Sequence, residues 1–357
     1  MPRSALTLAA LATVAVPRMD VLDARALPTS GDVDAALVFD ATGGRWVVKA
    51  PRTAAAGAAL EAEVALLEAL VDHVDAGRLP FEVPRTAGFA ELPDGGRAVV
   101  HPQLKGHALR LERLGPGPGL AAALGRAIAA LHELPTSTVE AAGLPVYDAE
   151  AYRQRRLSEV DEAARTGRVP ASLLRRWERA LEDVAMWRFR PTVVHGDLSA
   201  EQVLCSADEP RSIVGWSEGK VADPADDLAW LLVAAPPEAV DPILEAYTLR
   251  RTENADRYLA DRALLAGELA LARWLLHGVR TRDAEVVDDA AAMLVDLDEQ
   301  IAAQAAEAAR ADGDLDGHDD PGDTPDEEPG PDRAGPVDAD PGDGSSNASI
   351  SGSPSSR

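Results

Sequence analysis

The sequence predicts an α+β chain of two lobes, a small β-rich one followed by a larger helical one, with a disordered acidic C-terminal tail. Three observations carry this. Short β-rich runs bounded by turn residues dominate the chain up to Gly106, helical periodicity dominates after it, and residues 311–357 show no apolar periodicity. A ligand cleft is expected between two such lobes. The boundaries read from these shifts are 1–102 for the β-rich N-lobe, 103–309 for the helical C-lobe and 310–357 for the tail.

Composition excludes some classes. The 357 residues carry 35 Lys+Arg against 60 Asp+Glu, a net charge of −25, one Cys and 46% apolar residues. One cysteine excludes a disulfide framework and a Cys-based zinc cluster. The acidic balance argues against nucleic acid or an anionic membrane as partner. Thirteen acids and two arginines fall in 311–357, a stretch dense in Gly, Pro, Ser and Asp. It cannot bury enough apolar surface to offset its ordering entropy, and reads as a solubilising tail or a partner-binding arm.

Along the chain, Met1–Pro17 (MPRSALTLAALATVAVP) has one Arg followed by an apolar stretch, as a secretory signal would. Its weak Ala/Thr-rich centre and the Pro17-Arg18 that follows favour a short amphipathic helix, with Leu6, Ala9, Ala10 and Val14 on one face. No other stretch approaches a membrane span, because Ala263–Val279 is broken by Glu268, Arg273 and His277. A cytoplasmic location is expected. Ala36–Asp40 and Arg45–Ala50 flank Ala41-Thr42-Gly43-Gly44 as a hairpin. Thr53–Val71 has Leu60, Val64, Leu67 and Val71 at helical spacing. Val83–Phe89 and Ala98–His101 are strand candidates around Pro93-Asp94-Gly95-Gly96. Helices are then expected over 119–134, 149–166, 172–188, 224–234, 237–249, 256–280 and 283–309, with short strands at Thr192–Val194 and Ile213–Val214.

The chemistry concentrates between Val193 and Leu232 (VVHGDLSAEQVLCSADEPRSIVGWSEGKVADPADDLAWLL). Asp197 follows a strand on the tight His195-Gly196 turn, where a carboxylate can take a proton from a substrate hydroxyl. Gln202 offers a carbonyl oxygen five residues on. Asp223 is a good N-cap with Pro224 at the first helical position, and Asp226 and Asp227 complement the helix dipole.

This segment resembles the aminoglycoside/macrolide phosphotransferase family, which has a protein-kinase-like fold. His195, Gly196 and Asp197 match its H-G-D-x-x-x-x-N loop, and Trp216, Asp223, Pro224, Asp227, Leu228 and Ala229 match its I-D-W … G-D-P-x-x-D-L-A element. The stretch W-S-E-G-K-V-A-D-P is nearer the macrolide 2′-phosphotransferase branch. Trp46-Val47-Val48-Lys49 looks like the strand lysine that holds nucleotide phosphates, and Glu63 like its ion-pair partner, with Glu61 and Glu68 as rivals. Val99–Gly106 looks like the inter-lobe hinge and Leu131–Pro135 like the family's L-H-x-L-P helix end.

The resemblance implies a small-molecule O-phosphotransferase. ATP or GTP would lie against Pro102, Gln103 and Leu104, with Lys49 and Glu63 at its phosphates. Asp197 would be the catalytic residue, Gln202 and Glu218 would meet Mg²⁺, and His195, Asp223 and Asp227 would support the loop. The acceptor would be a macrolide-like or amino-sugar hydroxyl, the latter suiting the net acidity, or that of another metabolite. Trp177, Trp187, Tyr152, Tyr247, Tyr258 and Trp274 could line its site, although core packing suits each one singly.

Two positions depart from the family pattern. Gln202 replaces the asparagine, and Gly215 stands where the family has its metal-binding aspartate. Three readings follow: Glu218 or Asp223 reaches the metal, turnover is slow, or the chain is a silent kinase-fold binder. Ser30-Gly31-Asp32 falls where a nucleotide loop should be but is not G-x-G-x-x-G. His132 and Cys205 read as structural residues.

Overall fold

The computed structural model describes residues 2–29, 32–252 and 256–315. Ser30, Gly31 and most of the expected tail therefore lie outside the described residues. Contacts divide the chain into a unit of residues 1–304 and a second of 305–357.

The first unit opens with helix α1 (Ala5–Ala15), capped by Ser4, whose side chain accepts from Thr7 N. Strands β1 (Val21–Leu27), β2 (Val33–Asp40) and β3 (Arg45–Pro51) follow, then helix α2 (Ala54–Asp75), then β4 (Gly88–Glu91) and β5 (Arg97–Pro102). The strands form one antiparallel sheet in the order β1-β2-β3-β5-β4. The alternation of β3 decides what each face does. Val48 and Ala50 are buried with Leu8, Ala9 and Ala12 of α1, whereas Lys49 points the other way, toward α2. Thr53 caps α2 through its hydroxyl, and Leu60 and Val64 pack on Val99 of the sheet.

The helical part begins with the short β6 (His107–Ala108) and then α3 (Leu120–His132), α4 (Ser137–Glu140), α5 (Ala149–Arg165) and α6 (Ala171–Glu182). Strands β7 (Thr192–Val194), β8 (Val203–Ser206), β9 (Glu209–Ile213) and β10 (Lys220–Ala222) build two small sheets, β6-β8-β9 and β10-β7. A short 3-10 turn over Pro224–Asp227 leads into α7 (Ala229–Ala234), α8 (Pro237–Arg250), α9 (Leu259–Thr281) and α10 (Ala284–Leu315). Leu124, Ile128 and Leu131 of α3 are fully buried in a core shared with Ile243 of α8, and Tyr152, Trp177 and Leu275 anchor a second core among α5, α6 and α9.

Three sequence expectations are corrected. Helix α1 forms, but its buried face is Leu8, Ala9, Ala12 and Ala15, while Leu6 and Val14 are exposed: one leucine anchors the face and three alanines let the helix lie close on the sheet. The strand expected over 83–89 starts only at Gly88, where a Cβ would meet Ala15 O at 2.0 Å. The helix expected over 172–188 ends at Glu182, and Trp187 turns inward instead, donating to Ala180 O at 2.9 Å. Strands β1, β6, β8 and β10 were not read from the sequence.

Helices α3 and α8 touch at Gly125, where a Cβ would lie 2.2 Å from Ile243 O. Backbone, not a movable side chain, fills that space. Gly125→Val is expected to destabilise the fold by about 1–3 kcal/mol through overpacking, read as a lower urea midpoint with an unchanged slope.

Candidate active site

Strand β7 is wholly buried and pairs antiparallel with β10, Val194 opposite Lys220. It delivers His195-Gly196-Asp197 into a loop that no sheet ladder satisfies. Asp227 satisfies it instead. This carboxylate has no solvent exposure and accepts from His195 N and Gly196 N, both at 2.8 Å. His132 Nε2 lies 3.1 Å from the same carboxylate, and its Nδ1 lies 2.8 Å from the Tyr247 hydroxyl. One tautomer serves both contacts: Nε2–H donates to Asp227 and Nδ1 accepts from Tyr247. Burial works against the Asp227 charge, but the His132 bond, the nearby histidines and the Gly196 N–H hold its carboxyl below the usual carboxylate range. The His195 ring is fully buried at 4.7 Å from the Trp216 ring and donates Nε2–H to Val214 O at 2.9 Å. Burial pushes its imidazole below the ordinary histidine value, so it stays neutral at pH 7.

The rest of the Asp-Pro-Ala-Asp-Asp segment is tied down as firmly. Asp223 caps it by accepting from Ala225 N at 3.0 Å and takes both Nε and Nη2 of Arg262, at 2.7 and 3.1 Å. Its two oxygens are thereby committed, which removes it as a metal ligand. Asp226 pairs with Arg156 at 2.9 Å and accepts the Tyr152 hydroxyl. Asp197 itself is exposed at the loop tip.

On the β-rich side, Lys49 Nζ lies 2.7 Å from Glu63 Oε1. The rival Glu61 is taken by Arg97 in a two-pronged pair, and Glu68 is exposed. Helix α2 is seated on the segment after Gly215: Leu66, one turn from Glu63, fills the space a Cβ on Gly219 would need. Pro102 and Gln103 are exposed and Leu104 half-buried; the Gln103 N–H is spent on Arg45 O at 2.8 Å, so it is not free for a ligand.

Gln202 and Gly215 meet directly. Gly215 has φ +85°, and a Cβ there would lie 2.9 Å from Gln202 Nε2 and 3.1 Å from its Cγ. Gln202 Oε1 is buried with no hydrogen-bond partner. An orphaned hard oxygen of this kind fits a cation ligand. Glu218 is exposed two residues past Trp216. Among the described residues no three His, Cys, Asp or Glu side chains gather to hold a metal. A cation here would complete its shell with phosphate oxygens and water, as Mg²⁺ commonly does.

These features sit within a recognisable sequence family. The profile of the APH phosphotransferase enzyme family matches residues 25–265, about two thirds of the chain. The chain belongs to the phosphotransferase enzyme family. A Bacillus subtilis (strain 168) relative, the uncharacterized protein YcbJ, is 24% identical over 202 residues, which is 56% of this chain and 66% of that protein. The chain thus spans just under two thirds of that curated relative's length. Among solved structures, a macrolide 2′-phosphotransferase type I is 26% identical with a TM-score of 0.66, covering 78% of this chain and 92% of its own. The apoenzyme of the macrolide 2′-phosphotransferase of Brachybacterium faecium shares 23% identity and a TM-score of 0.65, covering 78% and 93%. The GDP and kanamycin complex of APH(2″)-IIIa gives 20%, 0.67, and coverage of 82% and 98%. The fold is the kinase-like one, β-rich first and helical after.

Within this phosphotransferase scaffold, sequence reasoning missed three side chains. Arg262 and Arg156, which hold Asp223 and Asp226, lie 39 and 70 residues from them. The signal for Arg262 was an arginine on the apolar face of α9. Lys220 places Nζ 3.3 Å from both Gly196 O and Glu218 O, beside Asp197 in the loop, and alternation in β10 could have flagged it. Of the aromatics named as a possible lining, Trp177, Tyr152, Tyr247 and Trp187 are buried, and only Trp274 is exposed.

Asp227→Asn leaves one loop N–H facing an amide donor. It is expected to lose about 1.5–3 kcal/mol of stability at pH 7. Because the folded carboxyl titrates below its unfolded value, its contribution is present above about pH 4 and lost as pH falls further. The gap between wild type and variant, measured by urea denaturation, should therefore narrow in acid.

Proposed function

We propose that the chain transfers the γ-phosphate of ATP or GTP to a hydroxyl of a macrolide-like or amino-sugar substrate. The observation that carries this reading is the closed Lys49–Glu63 pair, 2.7 Å long, on a sheet whose partner helix is seated against the catalytic-loop region. The N-lobe of residues 1–102 and the C-lobe of 103–309 would take the nucleotide between them, its base near Pro102, Gln103 and Leu104. Lys49, held by Glu63, binds the phosphates. Asp197 orients the acceptor hydroxyl and takes its proton as the phosphoryl group moves in line. His195, Asp223 and Asp227 fix the loop so that Asp197 needs no reorganisation during transfer. Lys220 adds positive charge beside it. Gln202 and Glu218 are the residues that would hold Mg²⁺, which when bound neutralises charge on the phosphates. The kinship with macrolide and aminoglycoside phosphotransferases supports this acceptor class.

A specific observation favours a second reading, a kinase-fold protein that binds nucleotide or a drug-like ligand without turnover: Gly215 brings no carboxylate and has no room for one while Gln202 keeps its position.

Asp197→Asn separates the two. If the chain is a phosphotransferase, radiolabelled γ-phosphate transfer to a macrolide and aminoglycoside panel should fall by about 10²–10⁴-fold with nucleotide affinity unchanged. Nucleotide binding with no transfer in wild type would support the silent binder. Gly215→Asp alone is expected to lose about 1–3 kcal/mol, because a side chain is placed at positive φ against Gln202. Gln202→Asn with Gly215→Asp should recover part of that loss, checked by thermal denaturation.

A further inference from the structure

A cavity of about 380 Å³ opens in the helical part, away from Asp197. Residues 188–190, which lead into the Thr192 end of β7, form one wall, and Pro224, just past the Ala222 partner of Thr192, borders it. The loop bearing Asp197 leaves β7 by its Val194 end. Four arginines, Arg188, Arg190, Arg251 and Arg257, stand around the cavity with Tyr247 and Tyr258.

Local carboxylates leave two of these cations, Arg188 and Arg257, without a counter-charge among the described residues. Asp256 also lines the cavity, but its Oδ2 is committed to Arg262 Nη2 at 2.6 Å. Arg251 Nη1 lies 3.1 Å from Glu133 Oε1, out of line for a hydrogen bond, and is buried without one. Arg257 donates to the Tyr258 hydroxyl at 2.6 Å. Neither Arg257 nor Arg188 has a carboxylate partner among the described residues, and both are exposed. In a chain of net charge −25, a surface cation finds a carboxylate easily. Convergence of guanidinium groups on one concavity instead raises a local positive potential that a bound anion would relieve. The planar guanidinium fork matches the paired oxygens of phosphate and carboxylate. Phe189 and Tyr247 are buried in the wall and give a flat apolar surface behind the charges.

We propose that this cavity is a binding site for a small polyanion of the phosphate or polycarboxylate type, with Arg188 and Arg257 gripping its oxygens. It is separate from the nucleotide cleft proposed above and does not depend on that reading.

Calorimetry on the full chain tests it, with pyrophosphate and citrate as probes. At least one probe is expected to bind saturably to wild type and equally to Lys49→Ala, and the preferred one tells phosphate from carboxylate recognition. Arg188→Ala with Arg257→Ala should weaken binding at least tenfold. Both side chains are exposed, so the melting temperature should hold. Arg175→Ala with Arg179→Ala removes the same charge from the exposed face of α6 and should leave binding intact. The proposal is overturned if neither probe binds wild type, if the Arg188/Arg257 variant binds as wild type does, if the Arg175/Arg179 variant loses as much, or if Lys49→Ala alone abolishes binding.

Discussion

The buried carboxylate of Asp227 is the interaction on which the loop depends. The turn after β7 must leave the sheet to expose Asp197, so the N–H groups of His195 and Gly196 have no strand to pair with. Buried and unpaired, they would cost more than any single contact nearby returns. Asp227 takes both, and His132 reaches it from α3. One side chain thus joins the catalytic-type loop, the helix that ends in Leu131-His132, and through Tyr247 the end of α8. Its neighbours extend the same logic. Asp223 fastens the segment to α9 through Arg262, and Asp226 fastens it to α5 through Arg156. Three carboxylates, Asp223, Asp226 and Asp227, therefore fix how α3, α5 and α9 meet the loop, with α8 reached through Tyr247. Buried ion pairs are weak contributors to net stability, yet removing one partner is costly, which makes them good at fixing a single arrangement.

Much of this was legible from local pattern. The hairpin of β2 and β3, the α2 helix with its Thr53 cap, and the Asp223 N-cap depend on neighbours a few residues apart. The sequence shows such dependence directly. The choice of Glu63 over Glu61 and Glu68 was less direct. In the fold, Glu61 is drawn off by Arg97 of β5 and Glu68 faces solvent, leaving Glu63 on the face opposite Lys49. What escaped notice depends on distant partners. Arg262 and Arg156 look like ordinary helical charges until the chain brings them to Asp223 and Asp226. The buried face of α1 was misassigned because apolar periodicity favoured Leu6 and Val14, whereas the face that packs on the sheet is set by Leu8 with the small Ala9, Ala12 and Ala15. Strand β1 was missed because its exposed edge residues alternate poorly, with no residue fully buried.

The two departures from the family pattern, Gln202 and Gly215, are better understood as one. At φ +85° position 215 suits glycine, and the volume a side chain would occupy is filled by the Gln202 amide. A shorter asparagine at 202 would withdraw from that volume; a carboxylate at 215 would need it. Lengthening one residue and stripping the other are thus compensating changes in a single packing site. The consequence is electrostatic as well as steric. One carboxylate leaves the loop and one amide oxygen remains, buried and unpartnered, at the same spot. A cation held there would carry less compensating protein charge than one facing an aspartate, and would depend more on the phosphates that accompany it. In the function proposed above, metal and nucleotide would then bind as a unit rather than in sequence.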